Sequence, residues 1–208
     1  MYAIHTTPGF IVSSQSSGEA GKLLSIFTKD LGLIRATAQG IRFEKSKLRP
    51  FIQDYSRGIF SFVRGKEFWR LTSAQEIKLQ GTSEKAQAES LDQSQELIAR
   101  IALLLNRLLQ GEDPHPELFI TLNSLFDFLS ANTSSADGGA RLDAESFKTL
   151  ESLIVTRILH RLGYVASIPS LKEDIESDAI DPLRLADLRD FRTTLNQHIN
   201  RALRESHL

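Results

Sequence analysis

The sequence contains no cysteine, which excludes disulfide bonds, cysteine-ligated zinc and thiol nucleophiles. Its five histidines are scattered, without the HExxH motif or a paired spacing typical of metal ligands. Glycine-rich phosphate-binding motifs, a G-x-S-x-G motif and the Asp-rich spacing of a calcium loop are also missing. The acidic residues between 173 and 181 are best interpreted as a solvated linker. We therefore predict no enzyme activity, no metal site and no cofactor.

Long apolar segments are missing too. The longest apolar run, residues 101–105, is far too short to cross a bilayer. The first residues lack the charged segment and apolar stretch of a signal peptide. We expect a soluble, cytoplasmic protein with no membrane partner. Its 208 residues, 41% of them hydrophobic, leave room for one large or two small domains, each with a core.

Charge is distributed unevenly along the chain, although the formal net charge is only −1. Residues 1–80 contain 12 basic and 6 acidic side chains, a balance of +6. The remaining residues contain 13 basic and 20 acidic side chains, a balance of −7. Such a split indicates two modules with different partners.

The first 80 residues show the short apolar alternation that is typical of β-strands. Strands are predicted at 9–14, 22–28, 33–39, 52–64 and 67–79, with a polar loop over 15–21. Residues 29–32 form a tight turn in which Gly32 takes a positive φ. Five short antiparallel strands favour an OB-fold barrel, and an SH3-like barrel is the alternative.

Beyond residue 81 the apolar residues recur at helical spacing. Helices are predicted over about 83–109, 114–130 and 143–162, and a last helix begins at Asp181-Pro182. Residues 131–141 are predicted as a mobile loop, and 165–179 are poorly patterned. The predicted fold is therefore α+β: an N-terminal five-stranded OB-fold barrel (1–80) followed by an all-α helical domain (81–208).

A basic segment, residues 33–51, consists of the third strand and the loop after Gly40, and it carries a local charge of +4. Cations that contact phosphates and aromatic faces that stack on bases are what a nucleic-acid surface needs. Phe43 either stacks on a base or anchors the loop as a buried residue. A solvated loop without a ligand is the alternative. The candidate DNA-binding residues are Lys22, Arg35, Arg42, Lys45, Lys47 and Arg49.

Residues 9–51, continuing to the EFWRLTSAQEI segment at 67–77, resemble the N-terminal domain of the bacterial recombination mediator RecO. The positions in step with the family pattern are Gly18, Glu19, Lys22, Leu23, Phe27, Thr28, Gly32, Ala36, Ala38, Gly40, Arg42, Ser46 and Leu48. Residues 104–122, 157–164 and 198–206 match the family more loosely. The resemblance covers most of the chain and is specific in the first 80 residues.

The resemblance implies an OB-fold followed by a helical domain, in a cytoplasmic, nucleoid-associated protein without catalytic activity. It implies binding of single- and double-stranded DNA, strand annealing, and cooperation with RecR in loading RecA onto DNA coated by single-strand-binding protein. Many members of the family carry a four-cysteine zinc site after the L-G-Y segment. Here residues 165–181 have no cysteine, so zinc is not carried over. Gln39 replaces the lysine that usually precedes Gly40, which removes one cation from the basic segment.

The resemblance also implies a pocket in the helical half for the C-terminal tail of single-strand-binding protein. That tail is an acidic peptide ending in an apolar residue and a free carboxylate, and an arginine suits a carboxylate geometrically. The candidates are Arg100, Arg107, Leu108 and Phe119, with Arg157 and Arg161 as the next choice. Alternatively, Arg107 pairs with an acid near the helix C-terminus.

Two other functions fit the residues. One is an RNA-binding OB-fold protein, and the other is a protein-interaction adaptor whose basic loop is only a solvated surface. DNA affinity measured against salt separates the adaptor from the nucleic-acid binders, because phosphate contacts make affinity fall steeply with salt.

Overall fold

The computed structural model describes residues 3–41, 43, 46–77, 88–133 and 142–206. The strands are β1 (Ile4–Ser17), β2 (Gly21–Thr28), β3 (Gly32–Ala38), β4 (Arg57–Arg64) and β5 (Trp69–Glu76). A 3-10 helix, Arg49–Phe51, lies between β3 and β4. The helices are α1 (Ala88–Leu108), α2 (Pro116–Thr133), α3 (Ala144–Arg161), α4 (Lys172–Glu176), α5 (Pro182–Asp187) and α6 (Arg192–Glu205), with a 3-10 turn at Pro169–Leu171.

The five strands form a closed barrel in the order β1-β2-β3-β5-β4. All neighbours are antiparallel except β3 and β5, which pair in parallel at Ala36–Trp69 and Thr37–Arg70. Strand β1 pairs with both β2 and β4, so the barrel has no open edge there. This order and closure are those of the OB-fold, and the predicted fold class is confirmed.

The barrel core follows from the alternation seen in the sequence. Ile34, Ala36 and Ala38 of β3 are fully buried, whereas Arg35 between them is exposed. Phe60 and Phe62 of β4 are also fully buried in the same cluster. Gly32 takes φ +70° in the turn between β2 and β3, as predicted.

Strand β1 is longer than its sequence pattern predicts. Residues 15–17 were expected in a loop but continue β1, pairing with β2 as far as Ser17–Gly21. The register shifts between Ile11 and Ser13, which marks a β-bulge. Polar residues continue this strand because its end is exposed and pairs only through backbone groups.

The chain divides into two compact units. The first consists of Met1–Lys78 and Ile98–Pro116, and the second of Leu79–Leu97 and Glu117–Leu208. The domain boundary at residue 80 stays a prediction, and the first compact unit also includes the end of α1 and the following connection. The physical reason is direct contact: a Cβ on Gly32 would lie 2.2 Å from the backbone oxygen of Asp113.

In the second unit, α3 is the central helix and contacts α4, α5 and α6. Asp143 caps α3 by accepting a hydrogen bond from Ser146 N at 2.8 Å, and Gly163 follows its end with φ +80°, as predicted. The predicted last helix is instead two helices, α5 and α6. The chain turns between them because Leu188 and Phe191 both pack into the cluster around Leu195.

None of the helices in the described part of the chain combines the length and the apolar character needed to cross a membrane.

Candidate nucleic-acid interface

Lys22 and Arg49 lie together at one end of the barrel. Lys22 pairs with Ala38, whose side chain is in the core, so Lys22 stands on the interior face where β2 reaches the barrel mouth. Its Nζ donates to Ser14 Oγ at 3.2 Å. Arg49 is exposed at the start of the 3-10 helix, where Pro50 fixes the backbone. Both cations line an open depression of about 560 Å³ together with Ile41, Pro50, Ile52 and Gln53.

The basic segment adds further exposed groups that are close in sequence to Ile41 and Arg49 of this depression. Lys47 is exposed, two residues before Arg49. Phe43 is 64% exposed, so it is not the buried anchor that formed one of its two interpretations. An exposed aromatic ring next to cations is suited to stacking on a base. Arg42 and Lys45 lie outside the described residues.

Arg35 lies in a different place from Lys22 and Arg49. It is exposed on the outer face of β3, opposite Ser25 of β2. It lines a second depression of about 330 Å³ that also contains Phe68 of the β4–β5 loop. The β2–β3 face and the β4–β5 loop are where OB-folds commonly bind oligonucleotides. Lys22 and Arg49 thus line a depression at the barrel mouth, and Arg35 lines one on the outer face, while Lys47 lines neither.

A third set of residues in this region was not identified from the sequence. The guanidinium of Arg64, at the end of β4, contacts both oxygens of Glu112 at 2.5 Å. The Trp69 indole N–H donates to Glu112 Oε1 at 3.0 Å, and Arg64 Cζ lies 4.8 Å from the centre of the Trp69 ring. Glu112 also lines the depression that contains Arg35. No local pattern connects residues 48 positions apart, so sequence periodicity gave no signal for this contact.

The candidate residues for a protein partner have different exposures. Arg100 and Arg107 are exposed on α1, whereas Leu108 and Phe119 are 8% and 3% exposed. Leu108 and Phe119 therefore offer little apolar surface to a ligand. Leu103 is 62% exposed, and its spacing places it between the two arginines on one side of α1. No acid among the described residues pairs with Arg107.

Arg157 and Arg161, the alternative candidates, serve the structure of the second unit. Arg157 is 2% exposed and donates to the backbone oxygens of Asp174 at 2.8 Å, Ala179 at 2.9 Å and Asp178 at 3.4 Å. Burial lowers the pKa of Arg157 to about 10, while Asp178 and Asp174 act in the opposite direction. Arg161 contacts Glu117 at 3.1 Å and the backbone oxygen of Glu176 at 2.7 Å. Neither side chain is available to a peptide carboxylate.

Residues 165–181, for which the family resemblance raises the question of a zinc site, contain carboxylates but no cysteine or histidine. Asp174 accepts two hydrogen bonds of 2.8 Å from Arg184. Asp178 accepts from Thr121 at 2.8 Å and from Arg161 at 3.3 Å. Within the described ranges, no three His, Cys, Asp or Glu side chains are grouped to hold a metal. Carboxylates already paired with arginine do not fit a structural zinc site, which uses thiolate and imidazole ligands.

Comparison with known proteins agrees with this architecture. Residues 1–79, which contain the whole barrel, match the protein family described as "Recombination protein O N terminal". The match ends where β5 ends, so it concerns the OB-fold and not the helices.

Individual relatives extend the similarity beyond the barrel. The DNA repair protein RecO of Rubrobacter xylanophilus is 28% identical over 142 residues, which are 68% of this chain and 54% of that protein. RecO of Desulfitobacterium hafniense is 30% identical over 124 residues, 59% of this chain and 44% of the relative. RecO of Dehalococcoides mccartyi is 38% identical over 72 residues, 35% of this chain and 28% of that relative.

The matched region spans about half the length of the first two relatives. The similarity is concentrated in the barrel, whose strand order, core and turn glycine are those described above. Residues 1–79 therefore match the N-terminal domain of the RecO family, and the chain is similar to several DNA repair RecO proteins.

Proposed function

We propose that this protein is a DNA-binding recombination mediator in DNA repair, and that it binds DNA through its barrel. The observation that carries the proposal is the pair of cations at the barrel mouth. Lys22 and Arg49 come from strand and loop positions 27 residues apart, yet they line one open depression. Exposed Lys47 and Phe43 add a phosphate contact and a stacking surface beside it.

Arg35 extends the proposed interface along the β2–β3 face. Ser25, which is opposite Arg35, is three residues from Lys22, so about 10 Å of strand separates the two cations. A single strand of nucleic acid that runs from the barrel mouth onto the outer face of β2 and β3 contacts both depressions. Because these contacts are to phosphates, the proposed binding is independent of sequence.

The proposal is tested by fluorescence anisotropy with a labelled single-stranded oligodeoxynucleotide, competed by unlabelled duplex DNA and by RNA of the same sequence. We expect both forms of DNA to compete at low salt. RNA that competes far better than DNA would support an RNA-binding OB-fold protein instead. If no nucleic acid binds, the result would favour the alternative function of a protein-interaction adaptor.

The finer activities proposed for this protein are those of a non-catalytic mediator. It anneals complementary strands, and with RecR it helps to load RecA onto DNA coated by single-strand-binding protein. Annealing of two complementary oligonucleotides, followed by fluorescence quenching, tests the first activity. Loading is tested by the ATPase activity of RecA on coated DNA, with RecR present and this protein added or omitted.

We further propose that the tail of single-strand-binding protein binds the side of α1 that carries Arg100, Leu103 and Arg107. An acidic tail that ends in an apolar residue needs cations beside an apolar contact, and exposed Leu103 lies between two arginines. Calorimetry with a synthetic tail peptide should show binding by the wild type and loss of binding in Arg107→Glu. Arg204→Glu, which changes an exposed arginine on α6, is the matched control. Equal binding by the wild type and Arg107→Glu would exclude this site.

A further inference from the structure

Glu112 is an acid on the face where we propose that DNA binds. It belongs to the connection after α1, and it lines the same depression as Arg35. Its carboxylate accepts from the guanidinium of Arg64 and from the indole N–H of Trp69. A carboxylate held by a guanidinium and an N–H donor occupies the position that a phosphate oxygen takes on such donors.

A close backbone contact at Asp113 holds the chain next to Glu112, and the Glu112 carboxylate lies against Arg64 and Trp69. Asp113, the next residue, lies so close to Gly32 that its backbone nitrogen is 2.6 Å from where a Cβ would be. This contact holds the connection against the turn between β2 and β3. The contact with the β2–β3 turn therefore keeps Glu112 next to Arg64.

The ion pair is nonetheless easy to exchange. The side chains of Arg64 and Glu112 are 56% and 43% exposed, and exposed ion pairs contribute little to stability. Trp69 is 5% exposed, and its N–H needs an acceptor whichever anion is present. A phosphate can replace the carboxylate without leaving this donor unpaired.

The charges in and beside the depression also favour exchange. Arg35 and Arg64 carry two positive charges, and Glu67 and Glu112 carry two negative charges. The described part of the site is therefore formally neutral while Glu112 is in place. Displacement of Glu112 leaves Arg64 free to pair with a phosphate.

We infer that Arg64 and Trp69 form a subsite for a backbone phosphate of single-stranded DNA, and that Glu112 is an intramolecular anion that occupies this subsite until DNA displaces it. The inference rests on the proposed function, since it assumes that the barrel binds DNA. It adds a specific phosphate subsite and a carboxylate, Glu112, that weakens DNA binding by competing with the phosphate for that subsite.

Glu112→Gln is the informative variant, because its amide oxygen still accepts from Trp69 while the negative charge is removed. We expect it to bind a single-stranded oligodeoxynucleotide roughly twofold to fivefold more tightly than the wild type at low salt. The slope of log affinity against log salt should become steeper by about one, because in the wild type the displaced carboxylate takes up a counterion that offsets the one released from the phosphate. In an Arg64→Ala background, Glu112→Gln should have no effect.

Glu67→Gln is the matched control, since it removes the same charge from the same depression. We expect a smaller gain and an unchanged slope. Equal gains and slopes for Glu67→Gln and Glu112→Gln, or a gain that persists in the Arg64→Ala background, would overturn the inference.

Trp69 is the single tryptophan of the chain and provides a second readout. Displacement of Glu112 from its indole N–H should change tryptophan emission when wild-type protein is titrated with the oligonucleotide. DNA binding detected by anisotropy without a change in emission would overturn the subsite and leave the proposed function intact. Absence of DNA binding by both the wild type and Glu112→Gln would overturn the proposed function and this inference together.

Discussion

At the scale of single residues, Arg157 shows how a charged side chain can organise a poorly patterned segment. Residues 165–179 show no regular apolar spacing, yet Ile168, Leu171 and Ile175 pack in one core cluster with Leu153 of α3. The guanidinium of Arg157 donates to the buried backbone oxygen of Asp174 and to the partly exposed backbone oxygens of Asp178 and Ala179. Arg157 thus links residues 174–179 to α3, in addition to the apolar contacts of Leu171 and Ile175.

We predict that Arg157→Met destabilises the protein by about 3 kcal/mol, because methionine fills the volume but cannot donate to the buried backbone oxygen of Asp174 or link α3 to residues 178–179. Urea unfolding followed by circular dichroism measures the loss. Arg201→Met is the control, since Arg201 is 75% exposed and pairs only with Glu205 at the surface. The Arg201 variant should stay within about 0.5 kcal/mol of the wild type. Equal stability of the Arg157 and Arg201 variants would contradict the role assigned to Arg157.

At the scale of elements, the connection after α1 belongs with the barrel because of one close backbone contact. Gly32 combines a positive φ with a position directly against the backbone of Asp113. Gly18 also has a positive φ, of 64°, but nothing lies within 4 Å of its Cβ position. Comparing alanine substitutions at these two glycines therefore distinguishes the free-energy cost of backbone strain from that of the close contact.

We predict that Gly18→Ala costs about 1–2 kcal/mol, which is the strain of a left-handed backbone alone. Gly32→Ala should cost clearly more, because its methyl group also pushes Asp113 away from the turn. Chemical unfolding of both variants gives the difference. If the two losses are the same, Asp113 does not pack against Gly32 in solution.

The sequence predicts some of these elements better than others. The alternation of Ile34, Ala36 and Ala38 was sufficient for β3, and Asp143 and Gly163 were sufficient for the ends of α3. These features are local, so neighbouring residues determine them. The two-helix end of the chain was missed because packing of Leu188 and Phe191, not a glycine or proline, produces the turn.

The site was less predictable than the fold. The basic segment indicated where cations concentrate, but not that Lys22 and Arg49 face one depression while Arg35 faces another. Arginine is rarely buried, so nothing in the sequence distinguished Arg157 from a surface cation. The contact between Arg64 and Glu112 depends on how the connection after α1 packs, which only the three-dimensional structure contains.

At the scale of the whole molecule, the uneven charge is consistent with DNA binding by the barrel and not by the helices. The first 80 residues, with a balance of +6, include the barrel and the proposed DNA interface. The remaining residues, with a balance of −7, do not favour a second broad surface for a polyanion. We therefore expect DNA affinity to depend on cations of the barrel and to be nearly independent of those on the helices.

The central claim is that phosphate contacts at the barrel mouth bind DNA. The most direct test is the slope of log affinity against log salt for a labelled single-stranded oligodeoxynucleotide. The wild type should lose affinity steeply with salt, and Lys22→Ala combined with Arg49→Ala should make the slope shallower by about two. The control combines Lys29→Ala, at the opposite end of β2, with Lys148→Ala on α3, and it should leave the slope unchanged. A wild-type affinity that does not depend on salt, or equal slopes for the wild type and the Lys22–Arg49 variant, would contradict the account.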